Sequence, residues 1–333
     1  MRELFQVMHA AEWGPWEAAS SSPSFDSAWL DLHLPDSHWV LLDKGRRLCG
    51  HCSVWWRQVP SYPGHRPGLI GHYFASDRSA SDQLLTTAIR KLAERGCTLA
   101  IGLMDGNSWR RYRLISDRGQ EPPFFMEPEN PDCWTDYFQV QGFVPLAKYI
   151  STLHQDQAIA DPRLEQATSR LTAAGVEIRQ LRLAEFEEEL ARIFTVSGES
   201  FQHNLFYTPI PEAEFLNQYQ VIRPLIQPEL VLLAVQNERP VGFCFAIPDY
   251  LEMKRLGRIE TLIIKTLAIL KERPLAGLGS LLVQRCEARA FNLGFRRIIH
   301  ALMHVSNYSR NISRGQGSII RRYTLYVKSL EQL

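Results

Sequence analysis

The stretch Ile263-Ile264-Lys265-Thr266-Leu267-Ala268-Ile269-Leu270-Lys271-Glu272-Arg273-Pro274-Leu275-Ala276-Gly277-Leu278-Gly279-Ser280-Leu281-Leu282 decides how this chain is read. Its apolar run predicts a buried strand, followed by a short loop ending in Gly-x-Gly and the first turn of a helix. Gly277 and Gly279 let the backbone approach a ligand closely and leave N–H groups pointing outward. A helix N-terminus adds roughly half a positive charge behind them. A turn of this kind suits phosphate oxygens.

Residues 267–279 resemble, position for position, the L-A-V-x-P-x-x-R-G-x-G-I-G segment of the GNAT superfamily of acyl-coenzyme A N-acyltransferases. In that family the strand splays from its neighbour and bonds the pantetheine arm, and the loop amides wrap the pyrophosphate. The chain departs from the pattern where the family has Gln or Arg: Pro274 fills that slot, with Arg273 one place early. Proline lacks an N–H, so the loop offers one donor fewer.

Outward from this stretch, the second half predicts a strand at 176–181, helices at 184–201 and 212–222, and a hairpin at 230–235 and 241–247. The strand at 261–270, a helix at 280–293 and a strand at 296–303 follow. The first half repeats the order. It predicts a hairpin at 39–42 and 48–56, a strand at 69–74, a helix at 81–95, and a strand at 97–104. A polar, aromatic loop at 105–131, a helix at 134–141 and a strand at 146–151 complete it.

Local matches support duplication at an offset near 190–200. Val40-Leu41-Leu42 matches Val231-Leu232-Leu233, and Cys49-Gly50-His51-Cys52 matches Val241-Gly242-Phe243-Cys244. Leu103-Met104 with Asn107 likewise matches Leu302-Met303 with Asn307. A period this long points to duplicated domains, not a solenoid of short repeats. The expected fold class is α/β, two tandem GNAT-like domains, each a mixed, mostly antiparallel sheet flanked by helices. The expected division is 1–153, a connector at 154–170, and 171–333.

The first half has Ala75-Ser76-Asp77-Arg78-Ser79-Ala80-Ser81-Asp82 where the second has its glycines. Asp77 or Asp82 can cap the helix start, and their charge would repel a diphosphate. The first unit therefore reads as degenerate, without a phosphate loop.

Composition narrows the partners. Lys plus Arg (37) balances Asp plus Glu (36), so no overall field favours nucleic acid or an anionic membrane. The first residues lack a basic-then-apolar leader, and no run approaches the roughly 20 apolar residues of a membrane span. The expectation is a cytoplasmic protein. Six cysteines are too sparse in 333 residues for a disulfide scaffold.

Several motifs suggest other chemistry. Cys49-Gly50-His51-Cys52 has redox spacing, but it sits in a strand, and a reactive thiolate pair needs a helix N-terminus. His300 and His304, four apart, also lie in a predicted strand, so no metal is expected. Arg110-Arg111-Tyr112-Arg113 could grip an anion but reads first as a solvated or inter-domain loop. Glu187-Glu188-Glu189 reads as the solvent face of a helix.

The resemblance implies direct acyl transfer, most simply acetyl, from acetyl-CoA to an amine of a small molecule or peptide. It places pantetheine on Leu267, Ala268 and Ile269, and pyrophosphate on the amides of Ala276, Gly277, Leu278, Gly279 and Ser280. Lys271 or Arg273 would add charge near the phosphates, and Asn307 matches a coenzyme-contacting asparagine. The family's usual acid and base are not in place: position 314 is Arg. Glu260, Tyr308, Tyr323 and Tyr326 stand as substitutes. A non-catalytic acyl-CoA sensor and a tRNA-dependent aminoacyl transferase of the tandem type are the alternatives. The acceptor loops at 105–131 and 201–211 suggest a partly apolar or aromatic acceptor, and the sequence leaves oligomeric state open.

Overall fold

The computed structural model describes residues 2–14, 16, 25–155, 162–306 and 317–331. In the first half, β-rich apolar runs alternate with turn residues, and each run becomes a strand. β1 (Glu3–Val7) is followed by α1 (Ala28–His33), β2 (Ser37–Leu42), β3 (Leu48–Trp55) and β4 (Pro67–Ala75). These strands pair antiparallel in chain order. Helix α2 (Arg78–Glu94) then carries the chain to β5 (Leu99–Gly102), parallel to β4. α2 buries Leu84, Leu85, Ala88, Ile89 and Leu92, the 3.6-residue stripe that packs it on the sheet. Beyond β5 come β6 (Leu114–Asp117), α3 (Cys133–Val140) and β7 (Val144–His154).

The second half opens with α4 (Pro162–Ala173), in the stretch read as connector, and repeats the same plan. β8 (Val176–Gln180), α5 (Phe186–Phe201), α6 (Glu212–Gln220), β9 (Val231–Gln236) and β10 (Arg239–Pro248) lead to α7 (Tyr250–Leu256). β11 (Thr261–Ile269), α8 (Leu278–Asn292), β12 (Arg297–His304) and β13 (Ser318–Ser329) follow. Strands β8 to β11 pair antiparallel, and β11 runs parallel to β12. The register repeats as well: Gly50 faces Ala75, and its counterpart Gly242 faces Ile269. The two halves are tandem copies of one mixed sheet with helices.

The halves exchange their last strands. β7, from the first half, pairs antiparallel with β12 of the second, and β13, from the second, pairs with β5 of the first. In the middle β7 and β13 run antiparallel, from Ser318 opposite Leu153 to Val327 opposite Val144. One 13-stranded sheet results among the described residues. A small core at the seam joins both halves, with Leu69 and Ile101 beside Tyr149, Phe206, Tyr323 and Leu325. Each such side chain, fully buried, contributes about 1.5–3 kcal/mol of transfer free energy.

Two readings need correction. β6 lies inside the predicted 105–131 loop, held by pairing with β13. Of the three glutamates at 187–189, Glu189 is fully buried, its carboxylate gripped by both guanidinium nitrogens of Arg179 at 2.7 and 2.8 Å.

Candidate functional site

β11 and β12 run side by side only from Thr261 opposite Arg297 to Ile264 opposite His300, and then part. At the parting point the β10–β11 register slips between Phe245/Thr266 and Ala246/Ile264, so Lys265 is the extra residue of a bulge. A bulge bends its strand and re-aims a side chain. Past it, Leu270 N bonds back to Val241 O on β10, so by strand alternation Leu267 and Ile269 turn their amides away from β10 into the gap.

The three strand residues implicated by sequence separate accordingly. Ile269 has its amide and carbonyl engaged by Ser200 Oγ of α5, at 3.3 and 3.1 Å. Ala268 is buried and faces β10. Leu267 N–H has no acceptor among the described residues, which leaves it the donor on the open edge.

The loop that follows is held from within. Arg273–Leu275 form a 3-10 turn with Pro274 in its first positions. Gly277 then adopts φ 86°, the left-handed region that favours glycine, and no side chain caps α8. Leu281 N bonds Gly277 O, but the N–H groups of Gly277, Leu278, Gly279 and Ser280 have no acceptor among the described residues. Lys271, Arg273 and Ala276 are exposed beside them. Arg170 of α4, unforeseen from sequence, donates to Ala276 O. It is brought there by the packing of α4 on α8. The residues present thus fit a phosphate: free main-chain donors, no acidic side chain capping the helix, and Lys271, Arg273 and Arg170 close by, while Glu272 of the same loop is paired with Arg239.

The equivalent place in the first half is closed. There Met104 N bonds Ile70 O at 2.9 Å, and His72 N bonds Asp105 Oδ1 at 2.6 Å, so chain following β5 hugs β4 where β11 stands open. Asp77 caps α2 by accepting from Ala80 N at 2.9 Å and pairs with Arg2. Asp82 bonds Gln141 instead.

The gap opens into a cavity of about 1050 Å³ between the halves. Lys265, Leu267 and His304 line it from the second half, and Trp109, Arg113 and Tyr149 from the first. The 105–131 loop forms its roof. Trp109 Nε1 donates to Thr208 O at 2.8 Å, Arg110 pairs with Glu214, and Phe125 N donates to Asp249 Oδ1. Lys265 Nζ donates to Met126 O at 2.6 Å. Removal from water, and then the nearby Arg113, lower the Lys265 ammonium to about 7, against an opposing pull from Glu127.

The acid and base candidates from sequence are not brought here. Glu260 pairs with Arg258 at the opposite end of β11. Tyr323 is buried on β13, its hydroxyl bonded to Glu127 and Ser151. Tyr326 is buried in the first-half core, beside Gln139. None of the three lines the cavity. Asn307 and Tyr308 lie outside the described residues. Lys265 and His304 both line the cavity with lowered proton affinity; His304 has its Nδ1 engaged by Ser306, whereas Lys265, at the bulge beside Leu267, keeps a lone pair free when neutral.

The other motifs fall where strands put them. Cys49 and Cys52 lie in β3, and burial pushes the Cys52 thiol up to about 12. His300 bonds Glu287 at 2.9 Å and stacks on His154. Among the described residues no group of His, Cys, Asp or Glu is arranged to hold a metal ion. No helix is long and apolar enough to cross a membrane.

A mixed sheet whose parallel pair splays at a bulge, beside an uncapped helix N-terminus, is the GNAT fold, here in tandem form. Residues 185–312 match the model of the Acetyltransferase (GNAT) family. A tandem GNAT protein from the clavulanic acid biosynthesis pathway is similar over 99% of both chains, at 10% identity and a TM-score of 0.51. A probable N-acyltransferase of Enterococcus faecalis V583 is similar over 99% of this chain and 73% of its own, at 9% identity and a TM-score of 0.55. At these identities the likeness is one of fold. A curated relative, the bacterial ceramide synthase of Caulobacter vibrioides (strain NA1000 / CB15N), is 23% identical over 233 residues, 69% of this chain. The matched region spans 59% of that relative's length.

Proposed function

We propose that the protein is an acyl-CoA-dependent N-acyltransferase, moving an acyl group, most simply acetyl, to an amine of a small molecule or peptide. The observation that carries this is the open edge of β11 at Leu267 leading to four unsatisfied N–H groups at Gly277–Ser280. Residues 171–333 would hold the donor, with Lys271, Arg273 and Arg170 near its phosphates and Asn307 as a further contact. Residues 1–153 are the degenerate unit, which roofs the acceptor cavity, and 154–170 join the two.

A bound thioester supplies an activated carbonyl. This chain's residues do the rest. Leu267 N–H lies on the edge where it can support the carbonyl oxygen as negative charge develops. Neutral Lys265 takes a proton from the acceptor ammonium while its own N–H stays on Met126 O. The freed amine nitrogen forms the C–N bond, the C–S bond breaks, and the amine's second proton leaves with the thiol. Atoms and charge balance without a further reactant.

A longer acyl chain is a second reading. The cavity of about 1050 Å³, with Trp109, Phe201, Leu205, Tyr219 and Ile222 in its wall, has room for one, and the matched relative is a ceramide synthase. Release of free CoA from a series of acyl-CoAs, acetyl to palmitoyl, with a panel of amines tests both. Turnover highest with acetyl-CoA supports the first; turnover rising with chain length supports the second. Binding of acyl-CoA with no turnover of any amine would leave a sensor, contrary to both.

A further inference from the structure

Of the three arginines in Arg110-Arg111-Tyr112-Arg113, two have carboxylate partners: Arg110 with Glu214 and Arg111 with Asp105. Arg113 has none among the described residues. It is only 8% exposed, and its Nη1 has no hydrogen-bond partner. Its guanidinium lies 3.8 Å from the ring centroids of both Tyr112 and Tyr149, and its Nε donates to Tyr112 O at 3.2 Å. Its backbone is pinned at φ 74° by a bond from its amide to Leu103 O. The side chain is therefore fixed, charged, largely out of water, and on the wall of the acceptor cavity.

A guanidinium cannot neutralise itself by losing a proton, so its burial without a counter-charge is costly. Its ionisable neighbours do not help. Lys265 and His304 are cationic groups held towards neutrality, each by burial first and then by Arg113. Glu127, the acid whose charge acts on Lys265, is already engaged by Arg321 and Tyr323. The planar fork of an arginine matches the oxygens of a carboxylate or phosphate.

We infer that Arg113 is the anion-recognition residue of the acceptor site, and that the acceptor is an amine bearing a carboxylate or phosphate group. This deepens the acyl-transfer reading and rests on it. The anion sits against the cavity-lining edge of the Arg113 guanidinium, beside Tyr112 and Tyr149, and the amine of the same molecule reaches Lys265 across the cavity.

The test uses the full chain and matched amines: glycine against glycinamide, and O-phosphoethanolamine against ethanolamine. The anionic member of at least one pair should be favoured by about tenfold or more in kcat/KM, the worth of a hydrogen bond to a charged group. The pair that shows the preference tells carboxylate from phosphate. At pH 9, where Lys265 is neutral with or without its cationic neighbour, Arg113→Gln should erase it by raising KM for the anionic member at least tenfold more than for the neutral one, with the thermal shift given by acetyl-CoA retained. Equal use of both members by the unaltered protein would overturn the inference, as would an equal loss for both in Arg113→Gln. A lost acetyl-CoA shift would instead assign Arg113 to the donor. Should no amine be turned over, thermal shift with sodium phosphate or acetate against chloride at equal ionic strength decides. Anion-specific stabilisation that Arg113→Gln abolishes sustains the subsite, and its absence rejects it.

Discussion

Lys265 Nζ donates to the main-chain oxygen of Met126 across the boundary between the two halves, at 2.6 Å. The bond fixes the bulge residue of β11 against the roof of the cavity. It also leaves the lone pair of the neutral amine for another proton. Sequence spacing placed Lys265 on a strand; only the parting of β11 from β12 shows that it faces a cavity.

The pH dependence of transfer should report this lysine. Its ammonium titrates at about 7, so the base form is absent at lower pH and fills in as pH rises through that value. The charged groups acting on it are Arg113, which pushes in the same direction as burial, and Glu127, which opposes it. kcat/KM should therefore rise through pH 7. Lys265→Met should remove that limb, leaving only the acceptor's own titration, and lower kcat/KM by about 100-fold at pH 8. An unaltered pH profile in Lys265→Met would contradict the assignment.

The strand exchange predicts that the halves depend on each other. A chain beginning at residue 155 lacks β7, so β12 presents an unpaired edge and β13 loses its long neighbour. Expressed alone it should aggregate, whereas co-expression with residues 1–155 should recover a soluble pair. Soluble yield and gel filtration read the outcome. A monodisperse, folded 155–333 would refute the dependence.

Arg321 and Glu127 form an ion pair whose side chains are 0% and 1% exposed, and it ties the roof loop to β13. Arg321 also donates to Glu121 O at 3.1 Å and Pro122 O at 3.0 Å. Arg321→Met leaves Glu127 buried and unpaired, which should cost about 3–5 kcal/mol in chemical denaturation. Adding Glu127→Gln should restore part of that. A loss under about 1 kcal/mol, the median for a surface pair, would show the pair to be solvated.

Much of the architecture was legible because it is written in short-range pattern. The paired hairpins, the helices α2 and α8 and the parallel strands follow from apolar runs, turn residues and glycine stops. β13 was missed although Ile320, Tyr323, Leu325 and Val327 carry a strand-like run. Its partner β7 lies about 170 residues away, and no local signal announces an exchange. The donor loop was legible through Gly277 and Gly279. Arg170 and Ser200 were not, since each acts through a contact that packing of distant elements creates; Arg113 stood out only as part of a basic run that could grip an anion, and its stacking on Tyr149 is what packing adds. Two of the acid and base candidates depend on the same long-range packing: Tyr323 and Tyr326 have the right chemistry, but the exchanged strand buries both.

The central claim is that bare main-chain donors at Gly277–Ser280 bind the donor's diphosphate. Thermal unfolding with acetyl-CoA tests it most directly, comparing the unaltered chain with Gly277→Asp and with Gly277→Asn, which has similar backbone strain but no charge. At 100 times the dissociation constant the unaltered chain should gain about 2.7 kcal/mol. Gly277→Asp should unfold cooperatively and gain nothing, with Gly277→Asn in between. A full gain in Gly277→Asp, or none in the unaltered chain, would contradict the account.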